Sequence, residues 1–215
     1  PHASAPPLLH MQSFIDYMIL HIAGGAEDWP DHNYWAFRRR GPLSDGWHFI
    51  PWDQEISNDN TTRNGSHIFP NTFELVNAAN SPAILYDRLR RGPAFRFRFR
   101  ERVHALYQNG GPLAAANSRA RWASIQSRID KAIVAESARW GDSKQSPAFR
   151  RETTWLAEMN FMQLPGSGFW DVMWPRQLQR FRNVSLYPSI EQPSFTRNQG
   201  PAAPGTAIGI TAPSG

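Results

Sequence analysis

Two short aromatic runs that lie close together, with turn-forming residues between them, constrain the fold of this chain more than any other feature. The runs are YWAFR at 34–38 and WHFIPW at 47–52, and the segment that separates them is RRGPLSDG. Aromatic residues are enriched in strands, whereas Pro, Ser, Asp and Gly favour chain reversal. Two such runs joined by a short glycine-containing loop are typical of a β-hairpin. The sequence therefore predicts an antiparallel hairpin over 34–52.

Helical patterns dominate the rest of the chain, where apolar residues recur at helical spacing and proline or glycine marks the ends. The predicted helices run from Leu8 to Gly24, from Ser81 to about Arg91, from Pro93 to near Gly110, from Ala114 to Trp140, from Thr153 or Thr154 to Met162, and within 169–182 with a break or a start at Pro175. The stretch 54–80 is rich in Asn, Thr, Ser and Gly and is predicted to form an irregular loop. The expected fold class is therefore α+β, mostly α.

The composition changes after Asn183, where LYPSIEQPSF is typical of an extended linker interrupted by prolines. The run TAIGIT at 206–211 predicts a strand without a partner before the chain ends. We therefore divide the chain into one unit at 1–185 and, at 186–215, a linker with the start of a truncated β-domain. Because the chain begins with Pro1 and not with Met, we expect it to be a piece of a longer protein.

Two absences narrow the classes of function. Cysteine is absent, which excludes a disulfide framework, a Cys-ligated zinc site and a thiol nucleophile. No apolar run approaches the ~20 residues that a membrane-spanning helix needs, so no membrane span is expected.

An arginine-rich segment, from Arg88 to Arg102, contains the alternation FRFRFR. As a strand it would present Phe on one face and Arg on the other, which could suit single-stranded nucleic acid. As a helix opened by Pro93, it would bury Phe95, Phe99 and Val103. The helix fits the flanking caps better, so nucleic acid is not an expected partner. The arginines would then be solvated, paired with acidic residues, or directed at an anionic ligand.

Three oxygen-bearing side chains, Asp28, Asn33 and Asp53, surround the predicted hairpin. Asn33 immediately precedes the first aromatic run and Asp53 immediately follows the second. Paired antiparallel strands bring such ends within about 5 Å between Cα atoms, so these two residues should converge. Asp28 precedes Asn33 by five positions and can fold over the same point. Carboxylate and amide oxygens are ligands that Mg²⁺ accepts beside phosphate, which makes this a candidate metal site.

Simpler roles remain open for the same residues. Asp and Asn are common wherever a chain reverses, so the candidate ligands could be turn residues only. His32 could bind the metal or make a structural hydrogen bond. Asp59 and Asn60 could contact substrate or a second metal, or could cap a loop.

One long stretch, FIDYMILHIAGGAEDWPDHNYWAFRRRGPLSDGWHFIPWDQE, resembles the spore-coat protein H (CotH) kinase family. The likeness continues through SPAILYDRLRRGPAFRFRFRERVHALYQNGG, AIVAESARWGD and LYPSIEQPSF, and covers about 8–193. The resemblance implies the C-terminal lobe of an atypical protein-kinase-like fold, with the hairpin carrying the metal site. It also implies that Asp28 is the catalytic base, that Asn33 and Asp53 bind Mg²⁺ or Mn²⁺, and that ATP is the phosphoryl donor.

The resemblance implies transfer of the ATP γ-phosphoryl group to Ser or Thr of a protein substrate. A kinase also grips the phosphates with a lysine and covers them with a glycine-rich loop. Because the only lysines are Lys131 and Lys144, we expect those elements in an N-terminal lobe upstream of Pro1, and this fragment alone to be inactive. The alternative is a non-catalytic scaffold for a bacterial surface or spore coat. Likeness to modular surface proteins favours an extracellular or cell-surface location.

Overall fold

The computed structural model describes residues 7–26, 29, 32–54, 57–58, 62–63, 66–67, 81–108, 110–143, 146–190, 193–197 and 201–213. Within these residues it contains six α-helices: α1 (Met11–Gly24), α2 (Pro82–Leu89), α3 (Pro93–Tyr107), α4 (Ala115–Trp140), α5 (Leu156–Gln163) and α6 (Phe169–Asn183). Three two-stranded antiparallel sheets pair β1 (Tyr34–Arg38) with β2 (Trp47–Pro51), β3 (Thr62–Arg63) with β4 (Ser66–His67), and β5 (Ser194–Phe195) with β6 (Ile210–Thr211). The predicted mostly helical α+β class is confirmed.

The first helix, α1, is the centre of the main core. His10 caps its start, since the Nδ1 atom of His10 accepts a hydrogen bond from the backbone N–H of Ser13 at 3.1 Å. Gly25 ends the helix in the left-handed conformation at φ 60°, which glycine adopts without steric cost. Around α1 the core collects residues from α2, α3, α6 and the segment that follows α6.

The predicted hairpin is present, with Trp35 opposite Ile50 and Phe37 opposite His48. Its inner face packs on α1 through Phe49, whose ring lies 5.1 Å from the ring of Phe14. The outer face is exposed. The hairpin is therefore held in place by α1, and this contact positions both of its ends.

The arginine-rich segment forms a helix, and not a strand. In α3 the residues Phe95, Phe99 and Val103 are buried, at the four-residue spacing of one helical face. Arg102 donates two hydrogen bonds to the carboxylate of Asp16 on α1, at 2.6 and 2.9 Å. The helical alternative is thus confirmed, and at least one arginine pairs with an acid.

The predicted boundaries of three helices were wrong. The helix expected from Leu8 begins at Met11, because Leu9 pairs with Trp47 in an isolated β-bridge. The helix expected to start at Thr153 or Thr154 begins earlier, with a π-helical turn at Arg151–Trp155 that leads into α5. Arg151 is anchored by hydrogen bonds to Asp130 of α4, which explains the early start. Pro175 neither breaks nor starts a helix, because α6 runs through it. Burial of Met173 and its neighbours offsets the roughly 3 kcal/mol that an internal proline costs.

The C-terminal strand was predicted to lack a partner, and this was wrong, because β6 pairs with β5. Leu186 and Tyr187 are buried in the main core, whereas the described residues from 201 to 213 are exposed. The division of the chain at 185 stays a prediction. Among the described residues, no helix combines the length and apolar character needed to cross a membrane.

Candidate metal site at the end of the hairpin

Asn33 and Asp53 lie side by side at the open end of the β1–β2 hairpin. The backbone N–H of Trp52 donates to the carbonyl oxygen of Asn33 at 3.1 Å, which extends the strand pairing beyond the last paired residues. The Nδ2 atom of Asn33 donates to the carbonyl oxygen of Asp53, also at 3.1 Å. The two residues are twenty positions apart in sequence, and strand pairing brings them together. The expected convergence of these two residues is present.

Both residues adopt a backbone conformation that most side chains avoid. Asn33 has φ 57° and Asp53 has φ 52°, so each lies in the left-handed region. Asn and Asp tolerate this region better than other non-glycine residues. The chain therefore turns sharply where it enters β1 and again after it leaves β2. These turns, together with the side-chain bond, fix the relative position of the two polar residues.

Ser57 and Asn58 lie against the C-terminal end of α1. The backbone N–H of Asn58 donates to the carbonyl oxygen of Gly24, and Asn58 has φ 54°. The Cβ of Ser57 would lie 3.5 Å from a Cβ added at Gly24, which is ordinary contact distance. The candidate site is thus bounded by the hairpin end and by the C-terminal end of α1.

A buried aromatic cluster lies behind the site. Trp29, which follows Asp28 in sequence, is fully buried, and its ring lies 5.9 Å from the ring of His21. His21 also contacts Tyr17, with ring centroids 4.3 Å apart. This packing holds Trp29 against the last turns of α1.

His21 is the residue near the site that the sequence prediction missed. It is fully buried, and neither ring nitrogen has a hydrogen-bond partner among the described residues. Burial lowers the pKa of His21 to about 4, and the nearby side chain of Gln54 opposes only part of that shift. The imidazole is therefore neutral at physiological pH. His21 follows Phe14 by seven positions, which is two helical turns, so helical periodicity could have predicted that it lies on the buried face of α1.

Other residues singled out in the sequence have different outcomes. Asp28, Asp59 and Asn60 lie outside the described residues. His32 is exposed beside Asn33. Lys131 lies on α4, and Lys144 falls outside the described part of the chain.

The donor set at this end of the hairpin fits a hard divalent cation. The Asn33 amide and the Asp53 carboxylate carry hard oxygens, which Mg²⁺ prefers to nitrogen or sulfur. The Nδ2 atom of Asn33 donates its hydrogen bond to the Asp53 carbonyl, so the amide oxygen of Asn33 is not used in that bond. Asp53 is exposed, so phosphate oxygens and water can complete the coordination shell.

Comparison with known proteins gave one family. A family model described as CotH kinase protein matches residues 6–163 of the 215-residue chain. This range contains α1, the hairpin and both described candidate ligands. Searches of curated proteins and of solved structures found no significant match.

Proposed function

The chain belongs to the CotH kinase family, and from that membership we propose that it is part of an enzyme that transfers the ATP γ-phosphoryl group to Ser or Thr of a protein. The observation that carries the proposal is the contact between Asn33 and Asp53. It places the side-chain amide of Asn33 against the backbone of Asp53, a residue that carries a carboxylate, within the region that the family model matches. Protein kinases use this pair of residue types to hold Mg²⁺ against the phosphates of ATP.

In this proposal Asn33 and Asp53 hold Mg²⁺ or Mn²⁺, and Asp28 acts on the phosphoacceptor. The metal, when bound, neutralises charge on the β- and γ-phosphates. Asp28 accepts a hydrogen bond from the substrate hydroxyl and orients it for attack. Because the transition state of phosphoryl transfer is loose, this carboxylate contributes mainly by positioning. The hydrogen bond from Asn33 to the Asp53 backbone holds the two ligands in register.

The proposal assigns the phosphate-gripping lysine and the glycine-rich loop to a lobe upstream of Pro1. Of the two lysines in the chain, Lys131 lies on α4, well removed in sequence from the hairpin. We therefore expect residues 1–215 alone to bind Mg-ATP weakly. A low-micromolar dissociation constant, measured by calorimetry on this chain, would contradict that assignment.

The test is phosphoryl transfer from γ-³²P-ATP by a protein that carries the complete domain. Asp53→Asn, which removes the carboxylate but keeps a residue that tolerates φ 52°, and Asp28→Ala should each abolish transfer, while circular dichroism and thermal unfolding remain those of the wild type. Asp142→Ala is the matched control, because Asp142 is an exposed aspartate after α4. Undiminished transfer in either site variant refutes the assigned role.

A non-catalytic scaffold for a bacterial surface or coat is the competing proposal. The same fold would then carry no phosphoryl transfer, and the Asn33–Asp53 contact would serve only to close the hairpin. A complete domain that binds Mg-ATP but transfers no phosphate to any protein would favour this scaffold. A location outside the cell is compatible with both proposals and stays a prediction.

A further inference from the structure

We propose that His10, Asp45 and His48 form a second metal site, one that binds a divalent transition-metal ion such as Zn²⁺. The three residues come from different parts of the fold. His10 directly precedes α1, Asp45 lies in the loop between β1 and β2, and His48 lies on β2. This inference is independent of the proposed kinase function. Among the described residues, His10, Asp45 and His48 form the one group of three His, Cys, Asp or Glu side chains that lie close enough together to share an ion.

The distances between the candidate ligand atoms approach those of a bound ion. The Nε2 atom of His48 lies 3.1 Å from Oδ1 of Asp45, and the Nε2 atom of His10 lies 3.9 Å from Oδ2 of the same carboxylate. One ligand atom from each residue can be chosen so that all three lie within 4.8 Å of one another. Tetrahedral zinc, with bonds of about 2.0–2.2 Å, separates its ligand atoms by roughly 3.3–3.6 Å. A contraction of at most about 1.5 Å therefore completes the set.

The backbone holds these residues together. The N–H of His10 donates to the carbonyl of Trp47, and the N–H of Trp47 donates to the carbonyl of Leu8, both at 3.0 Å. Gly46, between Asp45 and Trp47, has φ 106°, and a Cβ there would lie 2.6 Å from the backbone N of His10. Glycine at this position therefore permits the close approach that brings His10 to the hairpin.

The chemistry of the three ligands selects the class of metal. Two imidazole nitrogens and one carboxylate oxygen suit Zn²⁺ and its transition-metal neighbours, whereas Mg²⁺ and Ca²⁺ prefer oxygen ligands alone. The side chains of His10, Asp45 and His48 are 35%, 56% and 22% exposed, so the ion can enter and water can supply a fourth ligand. The site therefore differs in chemistry from the Asn33–Asp53 pair.

Coordination requires one ring to turn. The imidazoles of His10 and His48 are stacked, with centroids 4.3 Å apart and 23° between their planes, and stacked rings do not aim their lone pairs at one point. His10 also uses Nδ1 to accept the hydrogen bond from Ser13 N–H. If Nε2 binds the ion, the proton of the neutral ring moves to Nδ1, and His10 exchanges this cap bond for the metal bond. Ser13 lies at the first turn, is only partly buried, and can bond to water instead.

The bound ion would fasten the start of α1 to the hairpin. Residues 8–10 already pair with Trp47 through backbone hydrogen bonds. An ion shared by His10, Asp45 and His48 would add a second connection between this segment and the hairpin. The hairpin that carries Asn33 and Asp53 would be stabilised by it.

The test is titration of the 215-residue chain with Co²⁺, followed by its d–d absorption, and competition with Zn²⁺ in excess Mg²⁺ at pH 7.5. One equivalent of Co²⁺ should give an absorption band that Zn²⁺ removes and Mg²⁺ does not. Asp45→Asn, His48→Gln and His10→Asn should each weaken binding at least about tenfold. Asn is a good helix cap, so His10→Asn removes the imidazole and retains a cap for α1. His104→Gln, which removes an imidazole from α3, is the matched control and should bind as the wild type does.

Three results overturn the proposal. The first is no cobalt band in the wild type at millimolar Co²⁺. The second is a band of unchanged affinity in Asp45→Asn, whose exposed side chain can be altered without loss of the fold. The third is retention of full affinity in His10→Asn, which would leave at most a two-residue site. Thermal unfolding without metal checks that each variant is folded.

Discussion

The side-chain amide of Asn33 donates to the backbone carbonyl of Asp53 at 3.1 Å, and Asn33 itself has a left-handed φ of 57°. The residue thus has two separable roles, one from its side chain and one from its tolerance of this backbone conformation. Two substitutions at the same position divide them.

Asn33→Ala removes the hydrogen bond and also places a Cβ-bearing, non-Asx residue in the left-handed region. We expect the free energy of unfolding to fall by about 2 kcal/mol, the sum of a modest hydrogen bond and left-handed strain. Asn33→Gly also removes the hydrogen bond but adds no left-handed strain, and should cost about 1 kcal/mol or less. Urea unfolding of both variants measures the difference. Equal losses of stability in the two variants would show that the left-handed backbone at position 33 does not contribute to the effect of Asn33→Ala.

The buried, neutral His21 predicts acid sensitivity. Its pKa is lowered from 6.5 in the unfolded chain to about 4 in the folded protein, so the unfolded state binds the extra proton between these values. The His21 contribution to stability is therefore complete above pH 6.5, is lost as the pH falls towards 4, and changes no further below that. The loss is ~3 kcal/mol at most.

His21→Phe tests this origin, because a phenyl ring can occupy a similar volume between Tyr17 and Trp29. As the pH is lowered from 6.5 to 4, the unfolding free energy of the wild type should fall relative to that of the variant by up to ~3 kcal/mol. Parallel curves over that interval would show that another group causes the acid sensitivity.

Sequence patterns predicted the elements whose signals are local. The hairpin follows from aromatic runs and turn residues, and α3 follows from Pro93 and the spacing of Phe95, Phe99 and Val103. The convergence of Asn33 and Asp53 could also be predicted, because strand pairing alone places the two ends together. The metal-binding role of that pair and the catalytic role of Asp28 stay predictions.

The features that could not be predicted depend on tertiary contacts. Pro175 continues α6 because neighbouring side chains are buried in the core, which no local signal reports. The helix predicted from Ala114 to Trp140 is present as α4, yet its apolar residues Ile125 and Val134 are each 53% exposed, and the sequence does not show which part of the helix packs on α5 and α6. The approach of His10 to Gly46 joins segments that are distant in sequence, and no periodicity encodes it.

Phe99 and Phe97 of α3 differ only in the face on which they lie. Phe99 is fully buried and packs against Phe181, with ring centroids 5.4 Å apart, whereas Phe97 is 63% exposed. Phe99→Ala should reduce the free energy of unfolding by about 3–5 kcal/mol through lost burial and a cavity. Phe97→Ala should change it by less than about 0.5 kcal/mol. Chemical denaturation of both variants checks this, and similar losses would contradict the helical arrangement of the segment.

Gln177 connects α6 to the end of α1. Its Nε2 atom donates to the carbonyl oxygen of Ile22, and its side chain is buried. Gln177→Ala leaves this connection unmade and should cost about 1–3 kcal/mol. Gln179, on the same helix, is exposed and donates a hydrogen bond to the exposed Asn183 at 2.9 Å, so Gln179→Ala should cost less than about 0.5 kcal/mol. Thermal unfolding of the two variants measures this difference in stability. A loss of similar size in both would contradict the role of Gln177.

Gly46 and Gly41 lie in the same β1–β2 loop, and both have positive φ, at 106° and 91°. A Cβ at Gly41 would meet no atom of the described residues within 4 Å, whereas one at Gly46 would lie 2.6 Å from backbone atoms of Leu9 and His10. Gly41→Ala should therefore cost only the positive-φ strain, about 1–2 kcal/mol. Gly46→Ala adds a backbone clash, so we expect a further loss of at least about 2 kcal/mol, of the size that overpacking causes.

Urea unfolding measures the stability of both glycine variants, and hydrogen exchange at the amides of His10 and Trp47 should accelerate in Gly46→Ala alone. Equal losses in the two variants would show that residues 8–10 do not press against the hairpin.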